Sequence, residues 1–112
     1  MTACGSRVQE VRIVAQDFRF VPAEVRLHAG DPIRLVIVNE GREPHEFTSP
    51  LLSDPQVRVL WEAETAQSLH GASLRILPGR AATVTFQAPP GTYLFRCPIR
   101  GHAGMHGTVI VE

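Results

Sequence analysis

Turn signals set the frame for this chain. Nine glycines and nine prolines punctuate its 112 residues, and short strand-like runs recur between them, the pattern of an all-β sandwich or barrel. Val11, Ile13 and Ala15 mark one alternating run, and Val25 and Leu27 another before the turn Ala29-Gly30-Asp31-Pro32. Ile33–Asn39 is apolar at nearly every position, which places it in the middle of a sheet. Leu74 and Ile76 run into Pro78-Gly79, and Val84 and Phe86 follow. After Ala88-Pro89-Pro90-Gly91, alternation puts Tyr93, Phe95 and Cys97 on one face of a strand and Leu94 and Arg96 on the other. Thr108–Val111 reads as the last strand. One segment departs from this pattern. Asp54-Pro55 reads as a helix N-cap with proline at the first helical position, and Val57, Leu60 and Trp61 follow at helical spacing. This predicts a short helical or irregular insert around 54–70, with its helical part near 55–66. The fold expected is an antiparallel Greek-key β-sandwich of about seven or eight strands.

Length and charge narrow the possibilities further. No repeat or composition break divides the sequence, so residues 8–112 read as one domain behind a leader, 1–7. Formal net charge is zero with the signs interspersed, which argues against nucleic acid or a bare anionic membrane as partner. An apolar fraction of 44%, spread through short runs, indicates neither disorder nor a membrane span. The opening Met1-Thr2-Ala3-Cys4-Gly5-Ser6 resembles the end of a bacterial lipoprotein signal without the apolar segment that precedes one. Two readings stay open: a lipid anchor on Cys4 of a native protein whose signal is missing here, and a chance match.

The stretch that carries chemistry runs from Cys97 through His102 to Met105, in a loop between two strands. A second imidazole comes from Pro44-His45-Glu46-Phe47, after the buried run that ends at Asn39. A loop there can reach the same end of a sandwich. One thiolate and two imidazoles, with a weak contact to a thioether, form the set that suits copper moving between two oxidation states. Pro98 has no N–H to offer the sulfur, so a donor from this loop is expected from Ile99.

Here the sequence resembles the cupredoxin, or blue (type 1) copper, family. The carriers of the resemblance are the upstream His45, then Gly91-Thr92-Tyr93 with Phe95 and Cys97, then Gly101-His102, and finally Gly104-Met105 with Gly107-Thr108 before the last strand. It spans about Val11 to Val111. It implies one copper ion with His45, Cys97 and His102 as equatorial ligands and Met105 as the axial one. It also implies electron exchange with a redox partner protein and an extracytoplasmic location, in the periplasm or on the outer face of the membrane. This chain departs from many relatives in having only Ala103 and Gly104 between His102 and Met105, and Glu46 where an Asn is common, though the resemblance still implies a Glu46 backbone N–H donated to the Cys97 sulfur.

Simpler roles compete at each position. Cys97 alone would be a packed core thiol, and His45 alone a surface residue; spacing turns both toward ligation. Met105 fills cores readily, and His106 is the other candidate for the axial place. His28 and His70 read as solvated, and Trp61 as an anchor. A binuclear copper site would want a second Cys where Gly101 stands, structural zinc would want four strong ligands, and nothing suggests an enzyme's substrate pocket. Three functions follow in order: an electron carrier that is not an enzyme, a copper-delivery protein, and a domain of a larger multicopper enzyme. For the first, His102 should turn its ring edge to solvent through an apolar patch of Pro98, Ile99, Ala103 and Gly104.

Overall fold

A computed structural model describes residues 8–61, 67–69, 73–99, 101–102 and 104–112. The leader with Cys4, and also His70, Arg100 and Ala103, lie outside the described residues. The strands are β1 (Gln9–Gln16), β2 (Arg19–Val21), β3 (Glu24–Leu27), β4 (Ile33–Asn39), β5 (His45–Thr48), β6 (Arg58–Trp61), β7 (Gln67–Leu69), β8 (Ser73–Ile76), β9 (Ala81–Gln87), β10 (Gly91–Arg96) and β11 (His106–Val111). They form two sheets, ordered β2-β1-β4-β9-β6 and β3-β11-β10-β5-β8-β7. The alternation seen in the sequence points one set of side chains between the sheets. Ile13, Ile33, Leu35, Ile37, Val84 and Phe86 come from the first sheet, and Phe47, Leu74, Ile76, Phe95 and Val109 from the second, all nearly or fully buried. Phe95 stacks on Phe47 with centroids 5.1 Å apart and meets Phe20 edge-on at 5.2 Å, a geometry that adds to area burial.

Three expectations are refined. The sandwich is not wholly antiparallel: β1 runs parallel to β4, from Gln9 opposite Ile33 to Ala15 opposite Asn39, and β11 runs parallel to β3. The chain leaves the first sheet after β2, contributes β3 to the second and returns as β4, so β1 and β4 enter from the same end. Strands outnumber the seven or eight expected because several edge strands are only three or four residues long.

The third refinement concerns the insert. Asp54 does cap a turn, accepting the Gln56 N–H at 2.8 Å on its side chain and the Val57 N–H at 3.0 Å on its carbonyl. The chain then goes into β6, paired from Arg58 opposite Gln87 to Trp61 opposite Val84, so the helical reading fails at 58–61. A short apolar run satisfies either period, and the open edge of β9 decides in favour of a strand. Residues 62–66 and 70–72 lie outside the described residues.

Candidate metal centre

Four segments meet at one end of the sandwich: the β1–β2 turn, the β4–β5 loop, the start of β5 and the β10–β11 loop. The last is closed across its neck by Cys97 N–H donating to the Met105 carbonyl at 2.9 Å. Inside it, His102 N–H donates to the Ile99 carbonyl at 3.0 Å and Met105 N–H to the His102 carbonyl at 3.2 Å. Gly104, between those two residues, has φ +92°, a conformation that costs other residues strain. A loop this tightly bonded fixes Cys97 and His102 relative to each other.

His45 opens β5, and its approach is organised by Asn39, a fully buried polar residue. Asn39 Nδ2 donates to the carbonyls of Glu43 at 2.8 Å and Ile76 at 2.9 Å, and its Oδ1 accepts the Gly41 N–H at 2.8 Å. Every side-chain donor of Asn39 is therefore used, as a buried amide requires. The loop it holds presents His45 on one side and Glu43 on the other. At Gly41 any Cβ would overlap the Asp17 carboxylate and stand 2.9 Å from His45 Nε2, so only glycine lets the β1–β2 turn close on this histidine.

The sequence-predicted donors converge. His45 Nδ1 lies 3.2 Å from His102 Nδ1, and Cys97 Sγ lies 3.4 Å from His102 Nδ1. All three donor atoms fall within 4.8 Å of one another, and all three residues are buried. Met105 is 1% exposed and lines the same cavity as Cys97 and His102. His106 is exposed on the neighbouring position, as is His28 farther away. The Glu46 N–H donates to Cys97 Sγ at 3.4 Å, as expected, while Ile99 contributes its carbonyl to the loop.

Both rings are also held from behind. His45 Nε2 lies 2.8 Å from Asp17 Oδ1, and His102 Nε2 lies 3.2 Å from Glu43 Oε1. Carboxylate oxygens accept only, so a neutral ring bonded this way carries its proton on Nε2 and turns its Nδ1 lone pair toward the other ring and the sulfur. The Arg42 N–H, 2.8 Å from Asp17 Oδ2, holds the Asp17 carboxyl below its ordinary pKa; desolvation opposes it and the His45 ring reinforces it. Two lone pairs and a thiol sulfur facing one another a few ångströms apart form a donor set for a cation. Atoms that share one ion through bonds of about 2.0–2.3 Å are separated by distances of this order. The residues present fit a single soft-to-borderline metal ion.

One expectation is overturned. His102 does not turn its edge to solvent: it is 4% exposed. The Phe18 ring lies over it at 4.9 Å between centroids, and Glu43 covers its outer nitrogen. Phe18, Asp17, Glu43 and Asn39 all escaped the sequence reading as site residues. Only Asn39 left a signal, an Asn closing an apolar strand ahead of a loop containing Gly.

Comparison with known proteins places this architecture. The family described as a cupredoxin-like domain matches residues 2–111. The chain belongs to this family. Among curated relatives, the copper-resistant cuproprotein CopI of Rubrivivax gelatinosus is 34% identical over 111 residues, covering 91% of this chain and 66% of that protein. A plastocyanin of Nostoc punctiforme is 34% identical over 95 residues, covering 83% of this chain and 64% of its own length. The cupredoxin-like chain thus spans just under two thirds of the length of these relatives. Among solved structures, auracyanin B superposes with a TM-score of 0.66 at 24% identity, covering 93% of this chain and 88% of the other. A reduced auracyanin of Roseiflexus castenholzii gives 0.66 at 20% identity, covering 96% and 99%. These two likenesses establish the fold.

Proposed function

We propose that this cupredoxin-like chain is a one-electron carrier, not an enzyme, that holds a single copper ion through His45, Cys97 and His102 with Met105 as a weak fourth ligand. The observation that carries the reading is the convergence of two imidazole nitrogens and one cysteine sulfur, all buried, within 4.8 Å. Copper bound there supplies one electron at a time between Cu(II) and Cu(I). The chain would hold the donors in place in either state: His45 is the first residue of β5, and Cys97 and His102 sit in a loop closed by backbone bonds. The Glu46 N–H and the apolar cover of the sulfur tune the balance between the states.

The partner is a second redox protein that docks near the covered end of the sandwich. Membership in the family supports an extracytoplasmic location, and among the described residues no helix is long and apolar enough to cross a membrane. A lipid on Cys4 rests on the Met1–Ser6 pattern alone. Delivery of copper is the second reading; the relative named a copper-resistant cuproprotein does not single it out, and burial of all three donors favours retention. Electron exchange with a small redox dye and loss of Cu(I) to a mild chelator, measured on the same reduced protein, separate the two. A carrier exchanges electrons many times before releasing its ion; release as fast as exchange would replace the carrier with the delivery reading.

A further inference from the structure

We propose that Asp17 and Glu43 are a pair of positioning carboxylates that lock the two ligand imidazoles from behind and bias the site toward the oxidised ion. The inference rests on the copper reading above and adds to it. Asp17 Oδ1 accepts from His45 Nε2 at 2.8 Å while its other oxygen accepts the Arg42 N–H at 2.8 Å, so the carboxylate cannot swing away from the ring without losing both. Glu43 Oε1 stands 3.2 Å from His102 Nε2, and its own carbonyl is fixed by Asn39.

One buried amide therefore sets both contacts. Asn39 Oδ1 holds Gly41, the position where any side chain would strike Asp17 and His45, and Asn39 Nδ2 holds Glu43. The consequence for the ion follows from charge. A carboxylate behind an imidazole fixes its tautomer and raises the basicity of the ligating nitrogen. A negative charge so placed stabilises the doubly charged ion more than the singly charged one. Asp17 has the larger share, because its bond is shorter and its side chain is 24% exposed against 54% for Glu43.

The test compares Asp17→Asn and Glu43→Gln with Glu40→Gln, which removes a charge from the same loop without touching either ring. Asp17→Asn should weaken Cu(II) binding about 10- to 100-fold and Cu(I) binding less. Each tenfold difference between the two raises the one-electron potential by about 59 mV. Glu43→Gln should shift the potential in the same direction by less, and Glu40→Gln should leave it in place. In the metal-free protein, long-range proton–nitrogen NMR should find both histidines protonated at Nε2. Should Asp17→Asn fold poorly, the exposed Glu43→Gln and the tautomer measurement still decide. Potentials unchanged in both variants, equal weakening of both oxidation states, or Nδ1-protonated rings would each overturn the proposal. Absence of a thiolate-to-copper band in the unaltered protein would sink the copper reading instead, so the two failures are distinct.

Discussion

At the scale of single residues, the site divides into what is local in sequence and what is not. That Cys97, His102 and Met105 line one cavity is legible because they share one loop, and that His45 reaches the same end because it follows a buried strand. Asp17 and Glu43 meet their histidines across 28 and 59 residues of chain, a distance over which no spacing rule reaches. Phe18 is equally hidden, since an aromatic in a turn gives no sign of which ring it will cover. Met105→Leu should keep the visible colour and raise the reduction potential, because losing a thioether donor disfavours Cu(II). His106→Ala should do little, its side chain being exposed; a strong spectral shift in His106→Ala with none in Met105→Leu would reverse the axial assignment. Asp17 also sets a pH dependence in the metal-free protein. Its folded pKa is depressed, so its contribution to stability is present above its unfolded value of about 3.9 and fades as pH falls through the lower folded value. Urea titrations from pH 5 downward should therefore show wild type losing stability faster than Asp17→Asn; parallel losses would refute the coupling.

Among elements, the β4–β5 loop matters most to the site. Asn39→Ala would leave the Ile76 and Glu43 carbonyls and the Gly41 N–H without their present partner, at about 1–3 kcal/mol for each group that stays buried and unpaired. Urea denaturation should show that loss, with a weaker metal site from the freed loop; wild-type stability would mean that water replaces the amide. The same scale explains where the sequence misleads. Val57, Leu60 and Trp61 match helical spacing, but Arg58–Trp61 becomes a strand because β9 offers an unpaired edge, a fact external to the segment. Asp54 was legible as a cap and does cap a turn; what was not legible is that the turn goes no further. Long elements with clear alternation, such as β10 and β11, were readable because burial follows their period directly.

For the whole molecule, the two-layer Greek-key sandwich was legible and its two parallel pairings were not. Alternation says which face is inside, but the parallel pairing of β1 with β4 depends on the chain crossing between sheets. Most of the core between the sheets is apolar side chains other than the proposed ligands, so the metal-free protein should remain folded and cooperative. Phe95, fully buried between Phe20 and Phe47, carries much of that core, and Phe95→Ala should cost about 3–5 kcal/mol. Ile99 is partly buried against the core and lines the cavity beside the site. Ile99→Glu should slow electron exchange with a protein partner while the spectrum stays the same; an unchanged rate would place docking elsewhere. The central claim is that Cys97 and the two histidines bind one copper ion as a thiolate-bearing site. It is tested most directly by the visible spectrum of the Cu(II)-loaded protein beside that of Cys97→Ser. Wild type should show an intense thiolate-to-copper charge-transfer band, and Cys97→Ser should lose it while circular dichroism shows an intact sandwich. The same intense band in Cys97→Ser, or none in wild type, would contradict the account.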